Sequence, residues 1–253
     1  MPKMIPTGVE FFDNRIGGMY SGSLIILLEE VGAGGTEFAI TALMNNDRSC
    51  YISLTKTYED FKREMELVFP ERNDANDLIE KIKFQSFAKS YFSRSIVPLS
   101  WISDDFSLPQ FMRGEKSILK ELIDFFENLK DYRVCYLDSL SDLIRLCGEE
   151  ISWRDLIDFL MGLKIFIRRN DIVVYTTLIK DVIESGRQEE ILNQADGVLV
   201  FKWKEDNLSR KRIMYIKKLL GVLPSLEREG IEMYETRVDP VKGFTISNVV
   251  RII

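Results

Sequence analysis

Leu24-Ile25-Ile26-Leu27-Leu28, followed by Glu29-Glu30-Val31-Gly32-Ala33-Gly34-Gly35-Thr36, is the stretch on which the fold turns. Five apolar residues ahead of a glycine-rich turn read as a strand buried on both faces, as in a parallel sheet covered by helices. The turn Gly32 to Gly35 opens a segment of helical character, Thr36 to Asn46. Strand, glycine turn and helix in that order are the layout of a phosphate-binding loop, in which main-chain N–H groups and a helix N-terminus cradle an anion. The motif expects glycine, four residues, then Gly-Lys-Ser/Thr. The eight positions from Glu29 to Thr36 supply the spacing and the final threonine, but neither the first glycine nor the lysine.

Outward from this loop, apolar runs alternate with segments of helical period. Cys50 to Leu54, Val134 to Leu137, Ile172 to Tyr175 and Val198 to Phe201 read as strands. Thr57 to Phe69 reads as a helix, and Leu119, Leu122, Ile123, Phe126 and Leu129 mark one apolar helix face. Ser152 is placed to cap a long helix carrying Leu156, Ile157, Leu160, Leu163 and Ile167. Beyond residue 201 the pattern changes to short strands and turns at Ile213 to Ile216, Ile231 to Tyr234 and Phe244 to Ile246. The expected fold is α/β in three layers, with a mostly parallel central sheet and an antiparallel C-terminal extension. With 253 residues and no linker or repeat, the whole of 1–253 is expected to form one domain.

Composition narrows the function classes. A net charge of −6 disfavours nucleic acid as a partner, since non-specific binding draws on clustered lysine and arginine. The densest basic stretch, Lys202 to Lys218, is interrupted by Glu205 and Asp206 and reads as exposed faces of a hairpin. Imidazole chemistry is excluded because the chain has no histidine. Cys50 and Cys135 lie in apolar runs and read as reduced core thiols. No run approaches the eighteen or so apolar residues of a membrane span, so a cytoplasmic protein without membrane contact is expected. High charge content and only four glutamines suggest a thermophilic origin. The least regular part, Ala88 to Phe111, concentrates Tyr91, Phe92, Trp101, Phe106 and Phe111. A long irregular segment of this kind is either a packed insertion or a functional surface.

Several further motifs resemble the KaiC/RadA branch of the RecA superfamily of P-loop ATPases, in a degenerate, archaeal-type form. Thr7-Gly8, Asp13, Gly17-Gly18 and Ser21-Gly22-Ser23 are similar to that family's lead-in to the loop strand. Val134-Cys135-Tyr136-Leu137-Asp138 resembles its Walker B strand, whose aspartate helps hold magnesium. Ala195-Asp196-Gly197 and Lys218-Leu219-Leu220-Gly221 match two further family positions. The resemblance implies a RecA-like fold and marks Gly32, Ala33, Gly34, Gly35, Thr36 and Asp138 as the vestige of a nucleotide site. It also marks departures: Gly35 stands at the phosphate-gripping lysine, Thr55 and Lys56 at a glutamate pair that polarises water, and Leu220 at an arginine. Phosphoryl transfer rests on positioned charge and metal, so these losses predict a protein that is not an enzyme.

Each retained group admits a structural alternative. Thr36 suits a helix N-cap, Asp138 either caps a turn or is the one ligand for magnesium, and Lys56 is either solvated or reaches into the pocket. Glu29 and Glu30 add repulsion. One unit charge about 5 Å from a phosphate is worth about 3 kcal/mol at an effective dielectric near 20, so exchanging a lysine's attraction for this repulsion is expected to remove several powers of ten in affinity. Glu37 is expected to satisfy the helix dipole in place of phosphate. No cofactor is expected, with weak magnesium–ATP binding left open. The leading reading is a silent RecA-like protein that binds a protein or peptide partner or its own copies, through the 88–111 segment or the apolar tail from Asn248. The alternatives are an ATPase or switch with a non-standard loop, and an accessory factor in DNA recombination.

Overall fold

The structure is a computed structural model describing residues 3–93, 95–102, 117–206, 209–223, 228 and 231–251. Its centre is β3 (Leu24–Glu29), hydrogen-bonded in parallel to β7 (Val173–Ile179) on one side and β8 (Gly197–Asp206) on the other. Beyond β7 lie β6 (Val134–Asp138), β4 (Ser49–Ser53) and β5 (Lys83–Ser86), all parallel. Beyond β8 the direction reverses through β9 (Ser209–Leu219), β10 (Ile231–Asp239) and β11 (Gly243–Arg251). Among the described residues the sheet order is β11-β10-β9-β8-β3-β7-β6-β4-β5. This is the expected mostly parallel sheet with an antiparallel extension.

Alternation along the strands divides the core between the two faces. Ile25 and Leu27 pack with α1 (Glu10–Ile16), α2 (Gly35–Met44), α3 (Tyr58–Val68) and α4 (Ala75–Lys81), around the buried rings of Phe38, Tyr51, Phe61 and Phe244. Leu24, Ile26 and Leu28 face α6 (Ile118–Glu127), α7 (Leu140–Arg145), α8 (Trp153–Asn170) and α9 (Ser185–Gln194). Because both faces are covered, every β3 residue is buried, which is why its sequence is continuously apolar up to Glu29.

Helix starts follow local chemistry. Thr57 and Ser152 both form capping boxes, with Asp60 and Asp155 as reciprocal partners. The strands Met4–Ile5 (β1) and Met19–Tyr20 (β2), together with α1, α4, β5, α7 and α9, are elements that the apolar periodicity did not resolve. They are short, or weakly apolar as in α9, so tertiary contact rather than pattern defines them. Ala88–Phe92, expected to be irregular, is a short helix, α5. Ile123, read as part of an apolar face, is 45% exposed. Cys50 and Cys135 are buried free thiols opposite one another on β4 and β6. The segment from Asn248 to Arg251 belongs to β11 and pairs internally with β10. Among the described residues, no helix is long and apolar enough to cross a membrane.

Two of the sequence motifs prove to be clamps. Asp13 accepts hydrogen bonds from the Thr7 N–H and hydroxyl at 2.8 and 2.7 Å and from the Gly8 N–H at 2.9 Å, closing the turn ahead of α1. Asp196 accepts from the Leu24 N–H at 3.1 Å and pairs with Arg168 at 2.6 Å and Lys164 at 3.4 Å, tying the start of β3 to α8. With Asp196 only 7% exposed, its loss leaves a buried N–H unpaired. Asp196→Ala is expected to lower the unfolding free energy by about 2 kcal/mol. Urea titration followed by circular dichroism measures this, and an unchanged midpoint would refute the clamp.

Candidate functional site

The site gathers at the C-terminal ends of the parallel strands, where open α/β sheets place their ligands. β3 ends in Glu29, only 6% exposed. Its Oε2 accepts from the Gly35 N–H at 2.7 Å and the Thr36 N–H at 3.2 Å, and Oε1 accepts from the Thr36 hydroxyl at 3.4 Å. These are first-turn amides of α2, which a helix leaves without internal partners. They are also the donors that a phosphate loop turns toward its anion. The cradle therefore holds the chain's own carboxylate.

The glycines make this possible. A Cβ at residue 35 would collide with the Glu29 carboxylate, so the plug requires glycine there. Gly34, at φ 114°, is the N-cap and lies against the Phe244 ring. Two expectations are corrected here. Thr36 is not the N-cap but a first-turn residue, and Glu29 rather than Glu37 meets the helix N-terminus. Burial raises the Glu29 carboxyl, Glu37 adds to the rise, and the two N–H groups oppose it, giving about 7 against an ordinary 4.5. Glu30 turns away from the loop, accepting from the Trp203 N–H at 3.0 Å and pairing with Lys180 at 3.1 Å. Only the first of the two loop carboxylates faces the cradle.

A second self-compensated centre lies at the ends of β4 and β6. Asp138, 8% exposed, pairs through Oδ2 with Lys56 Nζ at 2.7 Å and accepts there from the Tyr51 hydroxyl at 2.8 Å. Its Oδ1 accepts from the Tyr136 hydroxyl at 3.3 Å. Lys56 Nζ also pairs with Glu64 on α3 at 2.6 Å. Burial works to lower the Lys56 ammonium, but Asp138 and Glu64 outweigh it and hold it above its ordinary value. Asp138 therefore caps no turn; Ser139 caps α7 by accepting from the Asp142 N–H. Lys56 does line the loop cavity, but its ammonium serves Asp138 and Glu64 rather than the loop.

Between the two centres opens a cavity of about 600 Å³, lined by Glu29, Thr36, Lys56, Arg63, Glu64 and Arg212 among others. Arg212 and Val238 of the antiparallel extension close its far side, Arg212 donating to the Gly32 carbonyl at 3.0 Å, and behind it on β8 the Trp203 indole donates to the Val31 carbonyl at 3.1 Å. Sequence reading placed Arg212 only among the exposed charges of a hairpin and passed over Trp203, because only the β8–β9 hairpin carries them across to the loop. The remaining candidates lie apart. Lys218 donates to the Asn193 carbonyl at 3.0 Å at the opposite end of β3, and Leu220 beside it is exposed. Tyr91 and Phe92 pack edge to face on α5, and the Tyr91 hydroxyl donates to the Asp142 carbonyl at 3.4 Å. Trp101 is 77% exposed, with Ile96 fully exposed nearby. Phe106 and Phe111 lie outside the described residues.

A mostly parallel sheet with a glycine loop between its central strand and α2, and an aspartate two strands away, defines the RecA-like P-loop class. The family model described as "ATPase: KaiC" matches residues 5–238, and the chain belongs to that family. Among solved structures, a KaiC-like protein from Pyrococcus horikoshii OT3 superposes with a TM-score of 0.66 at 19% identity, covering 98% of this chain and 100% of that one. The flagellar accessory protein FlaH from Methanocaldococcus jannaschii gives the same TM-score, identity and coverage. At this identity the likeness is one of fold. Comparison with curated proteins gave no match.

Because the folded-state value of Glu29 lies above 4.5, the folded chain retains a proton that the unfolded chain has released between pH 4.5 and about 7. Stability from this group is therefore fully present at low pH and falls as pH rises through that window, by about 3 kcal/mol at most. Glu29→Gln removes the titration. Between about pH 5 and pH 8 the variant should gain about 2 kcal/mol relative to the parent in urea unfolding. Parallel pH profiles would show that the carboxyl is not held as described.

Proposed function

We propose that this chain is a catalytically silent member of the KaiC family that acts by binding a protein partner or further copies of itself, with ATP bound weakly or not at all. The observation that carries this reading is the Glu29 carboxylate on the N–H groups of Gly35 and Thr36. Those donors would otherwise meet a phosphate; the Glu29 side chain occupies them, and its charge, which develops as pH rises through about 7, repels a second anion in the same cradle. Asp138, the family's magnesium position, is likewise neutralised by Lys56. A magnesium–triphosphate does not fit the residues in this arrangement. The loop's anion and the aspartate's cation are both supplied by side chains, and residue 35 offers no positive charge. Water polarisation is weakened as well, since Thr55 and Lys56 stand where the resemblance places a glutamate pair. The exposed Ile96 and Trp101, in the same stretch of chain as Tyr91 and Phe92, are the candidate partner surface. Acidic net charge continues to disfavour nucleic acid.

One observation favours a second reading, a nucleotide switch with a non-standard loop. Lys56 and Thr36 line the same cavity, so displacement of Glu29 would leave a cation and a hydroxyl facing it.

Calorimetry with magnesium–ATP separates the two. The parent is expected to show no saturable heat at about millimolar nucleotide, whereas the double variant Glu29→Gly with Gly35→Lys restores donors and charge and should bind at least about tenfold more tightly. Millimolar or tighter binding by the parent, lost in Thr36→Ala or Asp138→Ala, would overturn the proposal. So would ATP turnover that disappears in Asp138→Asn.

A further inference from the structure

The ladder between β9 and β10 stops early. β9 begins at Ser209 and β10 runs to Asp239, yet their pairing covers only Tyr234, Glu235 and Thr236 against Met214, Ile213 and Arg212. Extending that register would set Arg237 opposite Lys211, and like charges directly across a sheet repel. The strands part at this point, leaving a notch of about 350 Å³ lined by Trp203, Arg210, Arg212, Thr236, Arg237 and Ser247 among others.

The notch has a surplus of positive charge. Arg210 pairs with Glu205 at 3.7 Å and Lys211 with Glu235 at 3.0 Å. Arg212 and Arg237 have no ion-pair partner among the described residues, Arg212 giving its Nε–H to the Gly32 carbonyl. Arg210 and Arg212 lie over the Trp203 ring at 4.1 and 5.1 Å from its centre, which holds both guanidinium groups at one side of the opening. In the floor, the buried Thr236 hydroxyl has no hydrogen-bond partner.

Two spare guanidinium groups call for carboxylate or phosphate. A nucleic-acid backbone draws its affinity from a longer row of uncompensated cations, and here Glu205 and Glu235 interrupt the row on a chain of net charge −6. The backbone argues in the same direction. Residues 209–211 of β9 are paired with β8 alone, so their other edge carries N–H and C=O groups that a strand could pair with. We propose that this notch binds an extended, acidic segment of another polypeptide, its carboxylates on Arg212 and Arg237 and its main chain along the free edge of β9. The inference rests on the partner-binding reading above and adds a second, basic surface to the apolar one named there.

Because Arg212 shares a face with its partner Thr236 while Arg237 points to the other, an extended segment meets both only through adjacent carboxylates. The test is therefore fluorescence anisotropy of the full chain with a fluorescein-labelled Thr-rich peptide carrying two adjacent central Glu, about six residues long to match a strand. A Lys/Thr counterpart and a labelled oligothymidylate are the comparison probes. The acidic peptide is expected to bind at least about tenfold more tightly than either. Exposed Arg237→Glu, its fold checked by circular dichroism, should weaken that binding about tenfold or more and admit the Lys/Thr peptide. Absence of acidic-peptide binding, preference for the oligonucleotide, or indifference to Arg237→Glu would each overturn the proposal. Self-association by light scattering that Arg237→Glu abolishes would also overturn it, assigning the notch to a second copy. Failure here leaves the ATP calorimetry unaffected, so the two readings fall separately.

Discussion

The carboxylate of Glu29 on the first amides of α2 is the constraint around which the rest of the site is arranged. A helix N-terminus buried under a sheet needs an acceptor, and an unmet N–H in that position costs about 1–3 kcal/mol. β3 delivers one from its last residue, and the strand is held between β7 and β8, which roots the carboxylate beside the loop. Gly35 follows from this, since no side chain fits beside the plug. The hold is finely balanced, because the same burial that keeps the carboxylate in place pushes it up to about 7.

The second centre obeys the same logic with the signs reversed. Asp138 at the end of β6 is a buried acid, and such a group requires a partner. Lys56 provides it, with Tyr51 and Tyr136 satisfying further lone pairs. Each half of the family's site thus carries an internal counter-charge, an anion for the loop and a cation for the aspartate. The two compensations share one cavity but bond to different partners. The proposed silence toward ATP therefore does not rest on a single substitution.

The antiparallel extension links this centre to the outer surface. Trp203 and Arg212 fasten the carbonyl groups of Val31 and Gly32, and the same two side chains form one wall of the notch between β9 and β10. Arg212 lines both cavities. A ligand drawing on its guanidinium would act on a residue that also steadies the loop, and this joins the two proposals physically.

Much of the fold was legible because burial on both faces leaves a strong signal: apolar runs at β3, β4, β6 and β7, with a capping residue at Ser152. The short helices and α9 left none, being defined by packing. At the site, the sequence by itself determined which residue types meet at the loop, that the lysine position is Gly35, and that acids stand nearby. It did not determine where those acids point. Glu29 and Glu30 are adjacent and chemically identical, yet strand alternation turns one into the cradle and the other toward Lys180 and Trp203. Likewise, the sequence left Lys56 between solvent and the pocket until β4 and β6, far apart in the chain, brought it onto Asp138. Residue type is a local property and so can be read along the chain. Charge pairing depends on direction and distance in three dimensions, and only the folded sheet fixes those.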